Sequence, residues 1–433
     1  MLIIQKYGGT SVANPERIKR VAEYVVETAK KGNQLVVVVS AMSGETDRLI
    51  KLGHSSVIAR SPEGATKQSP ESSCSDRELD ALTATGETAS ASLLAIAIES
   101  LGHQAISLNA AQVRIVTDAQ HQRARMKHIE TDRIKNELKH GRIVVITGFQ
   151  GVTENGDITT IGRGGSDTSA VAIAHALNAD RCEIYSDVDG LYSADPNVCP
   201  NAVKIDKASY EELLETAGAG AKVVHMHAVE LAARHGTKLE LRRSPSISPP
   251  LEKGGKGGFE KGEGEKAGTS VSREEINMEQ VMVSTIAHTS NEAKISVRSV
   301  PNKVGIAARL FEPLARANIN VDMIVQSMNA DASSDISFTI AKPDLKRAMQ
   351  LTEVTAKEIG AGHVEMAGDV AKISVVGIGM RSHAGVAAKM FETLAREGID
   401  IQMISTSEIK VSVVVDSKHM QKAVNALHKA FIS

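Results

Sequence analysis

Apolar residues along the first 243 positions occur in two patterns, compact runs and a helical spacing. Leu35–Ser40 is an almost wholly apolar run, as expected of a strand in a parallel sheet covered on both faces. From Ile18 to Ala29 the apolar residues recur every three or four positions, after Asn14 as a helix cap and Pro15 as the first helical residue. Strands and helices that alternate in this way predict βαβ units and a three-layer α/β sandwich.

The same patterns predict further strands and helices before residue 243, besides a polar, serine-rich surface loop at Ser61–Arg77. The strands are predicted at Leu2–Lys6, Leu35–Ser40, Gln104–Leu108, Arg142–Thr147 and Cys182–Ser186. The helices are predicted at Pro15–Ala29, Glu87–Ser100, Glu130–His140, Ser166–Leu177, Tyr210–Thr216 and Ala221–His235.

The pattern breaks at Ser244. Residues 244–272 contain 7 Gly, 3 Pro, 4 Lys and 4 Glu among 29 residues, a composition that cannot form a packed core. We therefore predict a linker or insertion over 244–275, and its balanced charge argues against a basic binding arm.

The chain repeats itself after this spacer. GIAARLFEPLARANINVDMI (305–324) aligns with GVAAKMFETLAREGIDIQMI (385–404), and 11 of the 20 pairs are identical. Each copy follows a predicted strand, Lys294–Val300 or Lys372–Gly377, and has the order of a ferredoxin-like βαββαβ unit. The predicted domains are thus 1–243, the spacer 244–275, and 276–433 with repeats at about 292–345 and 370–433.

The amino-acid composition excludes several classes of binding partner. Lys+Arg number 50 against 52 Asp+Glu, and there are only 11 aromatic residues, so neither nucleic acid nor a membrane surface is expected as a partner. Cys74, Cys182 and Cys199 lack the number and spacing of a disulfide framework or metal site. No run of 18 apolar residues and no signal peptide is present, so we expect a cytoplasmic protein that handles small molecules.

Two glycine-rich turns are candidate phosphate-binding sites. Lys6–Ser11 (KYGGTS) joins the first strand to the first helix, and Gly162–Asp167 (GRGGSD) opens a later helix. Free backbone N–H groups and the positive end of a helix dipole suit a phosphate. Neither turn is a Walker or dinucleotide motif, and each by itself is as compatible with a structural turn as with a binding site.

Six motifs in a fixed order make the interpretation more specific. They are KYGGTSV (6–12), SAMSGETDRL (40–49), ATGE (84–87), TTIGRGGSDTSA (159–170), YSDVDGLYSADP (185–196) and GAKV (220–223). Together they resemble the signature of aspartate kinases within the amino-acid kinase family, and the repeat resembles their paired ACT regulatory modules. The resemblance covers nearly the whole chain apart from 244–272 and the 61–77 loop. Nothing resembling a homoserine dehydrogenase domain follows, which implies the monofunctional form.

The resemblance implies an αβα amino-acid kinase fold followed by two ferredoxin-like ACT modules. The implied reaction is ATP-dependent phosphorylation of the L-aspartate β-carboxylate to 4-phospho-L-aspartate, which begins lysine, threonine and methionine biosynthesis. Mg²⁺ would accompany ATP without a dedicated protein site. Feedback by lysine or threonine at an ACT interface, and a homodimer or higher homo-oligomer, are implied as well.

The resemblance also assigns roles to residues of this chain. Lys6 and Asp167 match the catalytic lysine and aspartate. The aspartate side would comprise Ser40, Thr46, Glu87, Arg163 and Ser166. The ATP side would comprise Lys6, Gly8, Gly9, Ser11, Ser186, Asp187, Tyr192, Lys222 and Val223. The effector side would comprise Gly305, Ile306, Ala307 and Asp322.

Departures from the family pattern keep alternatives open. Asn197 follows Asp-Pro where the family usually has Arg, and Val304 precedes Gly305 where Pro is usual. One alternative is therefore a catalytically impaired ACT sensor of amino acids, although the retained Lys6, Arg163 and Asp167 favour an enzyme. Another is an amino-acid kinase for glutamate, carbamate or a nucleotide, against which SAMSGETD and the ACT repeat favour aspartate.

Overall fold

The computed structural model describes residues 1–55, 75–162, 164–218, 223–245, 268–273, 283–377, 380 and 385–432. These residues form two compact units. Unit 1 comprises Met1–Leu191, Lys204–Leu214 and Lys222–Ile276, and unit 2 comprises Tyr192–Val203, Glu215–Ala221 and Asn277–Ser433. Most of the predicted Ser61–Arg77 loop and most of the spacer lie outside the described residues.

The chain up to Ser272 alternates strands and helices. The strands are β1 (Leu2–Tyr7), β2 (Gln34–Val39), β3 (Ala105–Leu108), β4 (Ile115–Thr117), β5 (Met126–Ile129), β6 (Ile143–Thr147), β7 (Gln150–Val152), β8 (Ile158–Thr160), β9 (Arg181–Ser186), β10 (Leu191–Tyr192), β11 (Lys204–Ile205), β12 (Lys207–Ser209), β13 (Leu239–Arg243) and β14 (Thr269–Ser272). The helices are α1 (Pro15–Lys30), α2 (Glu45–Gly53), α3 (Asp76–Thr83), α4 (Thr85–Ser100), α5 (Asp132–Lys139), α6 (Gly165–Leu177), α7 (Tyr210–Gly218) and α8 (Met226–His235).

Unit 1 is built on an eight-stranded sheet in the order β12-β14-β13-β9-β1-β2-β6-β3. The strands β9, β1, β2, β6 and β3 are parallel, so their carboxyl ends share one edge. Side chains of β2 alternate between the two faces: Val36 and Val38 pack in one core, Val37 and Val39 in the other. A sheet with a hydrophobic core on each face is the predicted three-layer α/β fold.

The strands and helices predicted before residue 243 are found within a few residues of their expected bounds. Asn14 caps α1 as expected, because its Oδ1 accepts a hydrogen bond from the Arg17 backbone at 3.0 Å. The helix predicted from Ala221 begins only at Met226, because His225 has an extended backbone (φ −74°, ψ 135°).

The spacer prediction is wrong for residues 269–272. Polar Thr269–Ser272 forms β14, an antiparallel partner of β13 within the main sheet. Val271 is fully buried there, and Thr269 Oγ1 accepts a hydrogen bond from the Leu191 backbone at 2.7 Å. The low-complexity composition of the neighbouring residues concealed this short strand.

Unit 2 contains most of the remaining elements. They are β15 (Thr285–Pro301), α9 (Ile306–Arg316), β16 (Val321–Met328), β17 (Ser333–Ala341), α10 (Leu345–Ile359), β18 (Val364–Val376), α11 (Val386–Arg396), β19 (Met403–Thr406), β20 (Lys410–Asp416) and α12 (Met420–Phe431). The strands form one sheet in the order β16-β17-β15-β18-β20-β19.

Two long strands are shared between the repeats. The second half of β15 pairs with β17 and with the first half of β18, whereas residues 285–289 of β15 pair with residues 372–376 of β18. We call residues 292–367 module 1, and residues 285–289 together with 370–432 module 2. Each module has its own hydrophobic core. The predicted pair of ferredoxin-like modules is confirmed, and the structure adds that each module completes its sheet with part of a strand shared with the other.

Among the residues that the structure describes, one stretch has the length and hydropathy of a membrane span, Asp76–Ser100, which comprises α3 and α4. Half of its apolar window is buried inside the protein. Glu87 lies within it and is buried, so packing in unit 1 accounts for this apolar stretch.

Candidate active site

A cavity of about 320 Å³ opens in unit 1. It lies where strand carboxyl ends and helix amino ends meet, the usual place for ligands in an open α/β sheet. It brings together predicted catalytic and aspartate-side residues with Gly9 of the ATP side: Lys6, Gly9, Ser40, Thr46, Glu87, Ser166 and Asp167. Their roles remain predictions, but their convergence from four separate motifs is a finding of the structure.

Lys6 and Asp167 form an ion pair at the centre of this group. Lys6 Nζ lies 2.5 Å from Asp167 Oδ1, and each side chain is only 12% exposed. Lys6 stands near the end of β1, and Asp167 lies in the first turn of α6. Asp167 thus holds the ammonium group beside the amino end of a helix, where an anion is favoured.

The turn after Lys6 passes very close to the loop after β2. A Cβ added at Gly9 would lie 2.8 Å from the Ala41 carbonyl oxygen, so no other residue fits without a backbone shift. Ser40 and Ala41 begin that loop, which therefore brings the SAMSGETD motif against the KYGG turn.

Glu87 is the other buried carboxyl group in the cavity. Its Oε1 accepts a hydrogen bond from the Ala41 backbone at 3.0 Å, whereas Oε2 is buried and has no hydrogen-bond partner in the structure. Burial raises the pKa of Glu87 to about 7, against the lowering effect of the Ala41 hydrogen bond. An unpartnered carboxylate oxygen in a cavity suits a ligand ammonium group.

His225 supports Asp167 from the amino end of α8. Its backbone N–H donates a hydrogen bond to Asp167 Oδ2 at 3.1 Å. Its ring packs on Gly164 (φ 75°), where an added Cβ would lie 2.0 Å from His225 Cγ. His225 is not among the predicted site residues, and its local sequence gives no indication of this contact.

Among the predicted ATP-side residues that the structure describes in unit 1, only Lys6 and Gly9 line the cavity. β9 is the parallel neighbour of β1, with Ile184 opposite Lys6, and Ser186 ends β9. Ser11 is fully buried and its Oγ has no hydrogen-bond partner in the structure. Gly8, Asp187 and Val223 are not part of the cavity lining. Tyr192 belongs to unit 2. Arg163 and Lys222 lie outside the described residues.

The predicted effector residues are in module 1. Gly305 (φ 84°) caps α9, Ile306 and Ala307 form its first turn, and Asp322 lies on β16. The Asp322 carboxylate is 42% exposed and pairs with the buried ammonium of Lys372, which also lies 3.3 Å from Glu292. The structure therefore places a charged cluster next to Asp322 that sequence reasoning did not find.

Several cavity residues were missed from sequence. They are Ala41, Met42, Ser43, Gly44, Asp47, Phe149, Gly162, Gly164 and Gly165. Most belong to the quoted motifs, so the motif itself could have identified them. Phe149 is different: it follows β6 with a left-handed backbone (φ 66°), a conformation that costs energy in a bulky residue and often occurs at functional sites.

Within the described ranges no group of three or more His, Cys, Asp or Glu side chains is arranged to hold a metal ion. Asp167, the acidic residue nearest the two glycine turns, is engaged by Lys6 and by the His225 backbone. Both oxygens of this carboxylate are thus already engaged by groups of the protein.

Comparisons with known proteins agree with this geometry. Residues 1–242 match the amino acid kinase family, and residues 295–353 and 373–431 match the ACT domain. An aspartokinase from Pseudomonas aeruginosa is 46% identical over 430 residues, covering 99% of this chain and 97% of that protein. The aspartate kinase structure from Synechocystis is 37% identical with a TM-score of 0.52, covering 100% of this chain and 69% of that one. Aspartokinase III from E. coli, in complex with lysine and aspartate, is 25% identical with a TM-score of 0.76, covering 100% of both chains.

Proposed function

Because the chain belongs to the amino acid kinase family and carries two ACT domains, we propose that it is an aspartate kinase. It transfers the γ-phosphoryl group of ATP to the β-carboxylate of L-aspartate. A carboxylate oxygen forms the new bond to phosphorus, the bond from phosphorus to the β–γ bridging oxygen breaks, and ADP leaves. The product is 4-phospho-L-aspartate, the first intermediate on the way to lysine, threonine and methionine.

Both reactants are anions, the aspartate β-carboxylate and the triphosphate of ATP, and the site must bring them within bonding distance. Phosphoryl transfer depends mainly on alignment and charge neutralisation, because the protein forms no covalent bond to the phosphoryl group. The Lys6 ammonium lies in the cavity with Asp167, beside the amino end of α6. Lys6 would stabilise the charge on the transferring group, and Asp167 would orient Lys6.

The aspartate side of the site follows from the buried carboxyl group. Glu87 Oε2 has no partner in the structure and would accept from the substrate α-ammonium. Ser40, Thr46 and Ser166 line the same cavity and can donate hydroxyl groups to substrate oxygens. We propose that Arg163, between Gly162 and Gly164 in sequence, forms a bidentate pair with the α-carboxylate.

The ATP side would follow the family motifs. Backbone N–H groups of Gly8 and Gly9 and the Ser11 hydroxyl would contact phosphates, with Mg²⁺ carried by the nucleotide. Ser186, Asp187 and Tyr192 would contact the nucleotide on one side, and Lys222 and Val223 on the other. Asn197 leaves this side with one cation fewer than is usual in the family.

The single observation that carries the proposal is the buried Lys6–Asp167 pair in one cavity with Glu87. Purified protein with Mg-ATP and hydroxylamine is expected to yield an acyl hydroxamate only when L-aspartate is present. L-glutamate and carbamate replace aspartate as controls for the other amino-acid kinase hypotheses. Absence of hydroxamate with aspartate at any protein concentration would contradict the enzyme and favour the sensor alternative.

Glu87 predicts a pH dependence of substrate affinity. Binding of an α-ammonium group requires the ionised carboxylate, whereas burial holds the pKa near 7 in the free protein. The KM for L-aspartate should therefore be roughly tenfold higher at pH 6 than at pH 8, one decade for each pH unit below the pKa. Glu87→Gln should raise this KM and remove its dependence on pH.

The raised pKa of Glu87 also predicts how the stability of the folded protein changes with pH. A carboxyl pKa raised by folding contributes stability that is complete below the unfolded value and lost as pH rises through about 7. Glu87→Gln should thus raise the Tm of the free protein at pH 8 more than at pH 5. Glu99→Gln, an exposed position on the same helix, is the matched control.

If Glu87→Gln keeps the wild-type dependence of the aspartate KM on pH, another group binds the substrate ammonium.

Regulation and assembly complete the proposal. Lysine or threonine would bind near Gly305, Ile306, Ala307 and Asp322. The structure of E. coli aspartokinase III in complex with lysine and aspartate supports this proposal. The ACT modules would pair in a homodimer or larger homo-oligomer in the cytoplasm. The proposed catalytic domain is 1–243 and the regulatory domain 276–433.

A further inference from the structure

Asp80 is a buried carboxylate that the proposed reaction does not use. It lies on α3, is 1% exposed and is not part of the cavity lining. A carboxylate buried in this way costs free energy unless hydrogen bonds compensate for its lost hydration. Its hydrogen-bond partners therefore show which parts of unit 1 it stabilises.

Two segments from outside α3 meet on this carboxylate. Thr160 Oγ1, at the end of β8, donates to Asp80 Oδ1 at 2.6 Å. The Gln122 backbone N–H donates to Oδ1 and Oδ2 at 3.1 Å and 3.0 Å, and His121 Nδ1 lies 2.8 Å from Oδ2. The Ala124 backbone also donates to the Thr160 carbonyl oxygen at 2.9 Å. Asp80 thus joins β8 to the loop between β4 and β5.

The joined segments hold the glycine turn that borders the cavity. β8 ends at Thr160, two residues before Gly162, which has a left-handed backbone (φ 86°) and lines the cavity. A Cβ added at Gly162 would lie 3.0 Å from the Gln122 carbonyl oxygen, so the turn packs directly on the loop that Asp80 holds. Gln122 is left-handed as well (φ 65°), a conformation that persists in a non-glycine residue only where its surroundings impose it. The hydrogen bonds to Asp80 supply part of that restraint.

Asp80 also belongs to the helical stretch that carries Glu87. The Ala84 backbone donates to the Asp80 carbonyl oxygen at 3.0 Å, and the Thr88 backbone donates to the Ala84 carbonyl oxygen at 3.3 Å. Helical hydrogen bonding therefore continues from α3 into α4. Asp80 and Glu87 stand about two turns apart, which places them on the same side of this stretch. The Asp80 carboxylate thus connects the helix that bears Glu87 with the turn at Gly162.

We infer that Asp80 is a positioning residue for L-aspartate, because its carboxylate fixes the turn at Gly162 relative to Glu87. The inference rests on the proposed function, in which Glu87 binds the α-ammonium group and the turn borders the rest of the substrate. Asp167 is held separately by its ion pair with Lys6. Loosening the turn should therefore weaken aspartate binding more than it slows turnover.

The first test compares Thr160→Val with Thr160→Ser. Valine keeps the size of threonine but removes the hydroxyl that donates to Asp80. The KM for L-aspartate should rise roughly fivefold, part of the free energy of one hydrogen bond to a charged group. The KM for ATP should change by less than about twofold and kcat by less than about threefold. Serine retains the hydroxyl and should restore most of the affinity for aspartate.

Asp80→Asn tests the carboxylate itself. Asparagine keeps one acceptor oxygen but places an amide NH2 group where a carboxylate oxygen accepts from the Gln122 backbone. The KM for L-aspartate should rise by about tenfold or more, again with little change in the KM for ATP. Calorimetric titration with L-aspartate in the absence of nucleotide should give the same order of affinities. Thr160→Val keeps the inference testable even if Asp80→Asn unfolds.

Thr117→Val is the matched control. Thr117 is 1% exposed, and its Oγ1 lies 2.7 Å from Thr159 Oγ1 in the same four-stranded sheet as Thr160. The substitution removes an equally buried hydroxyl and should lower Tm about as much as Thr160→Val. Because Thr117 does not contact Asp80 through a hydrogen bond, both Michaelis constants should stay at the wild-type values.

The outcomes separate the two proposals. Wild-type protein without hydroxamate activity would contradict the proposed function itself. An active wild-type enzyme in which Thr160→Val and folded Asp80→Asn keep the KM for aspartate, or raise both Michaelis constants equally, would overturn only the positioning role.

Discussion

Lys6→Ala is expected to lower kcat roughly a thousandfold, which corresponds to about 4 kcal/mol of lost transition-state stabilisation. The reason is the position of its ammonium group, buried in the cavity and directed by Asp167 at 2.5 Å. Because the charge on the transferring phosphoryl group develops in the reaction, kcat and kcat/KM should fall together. The hydroxamate assay under saturating ATP and aspartate measures the effect.

Lys19→Ala provides the matched control. It removes the same charge from an exposed position of α1 in the same unit and should leave kcat unchanged. Far-UV circular dichroism should show that both variants are folded. A folded Lys6→Ala enzyme with kcat within tenfold of wild type would refute the catalytic assignment of Lys6.

Asp167→Asn is expected to lower kcat by roughly a hundredfold or more with little change in the KM for aspartate. Asparagine keeps an oxygen for the His225 N–H but removes the charge that holds Lys6. Since the two side chains act as one unit, their losses should not multiply. The Lys6→Ala/Asp167→Asn double variant should thus be about as slow as Lys6→Ala.

Asp157→Asn is the control for this substitution. Asp157 also pairs with a cation, Arg77 at 2.7 Å, but lies outside the cavity lining. It should leave turnover unchanged. Multiplicative losses in the double variant would show that Asp167 acts independently of Lys6.

Local sequence was sufficient to predict the α/β architecture and to select several candidate residues that meet in one cavity. Apolar runs such as Leu35–Ser40 reflect burial on both faces of a sheet, which depends little on distant residues. Lys6, Glu87 and Asp167 each lie in a motif with strong local constraints, and parallel strands bring such motifs to one edge. The structure adds that Glu87 is buried with an unpartnered oxygen, a consequence of tertiary packing.

What sequence did not predict depends on distant partners. β14 is a strand because β13 offers it an edge, and its own four residues, TSVS, carry little β pattern. The left-handed backbone of Phe149 is imposed by the surrounding chain. The attachment of Ser193 to His428 joins residues 235 positions apart, and no periodicity along the chain encodes such a pair.

The two shared strands have a consequence for the order in which unit 2 can fold. The sheet of module 2 requires Thr285 to meet Val376, whereas all of module 1 lies between these residues in sequence. Closing such a long loop has an entropic cost before any pairing energy is gained, so contacts of this kind slow folding. Module 1, whose strands are closer together in sequence, is expected to form first and bring the halves of β15 and β18 into register. A chain interrupted within module 1 would consequently lose module 2 as well.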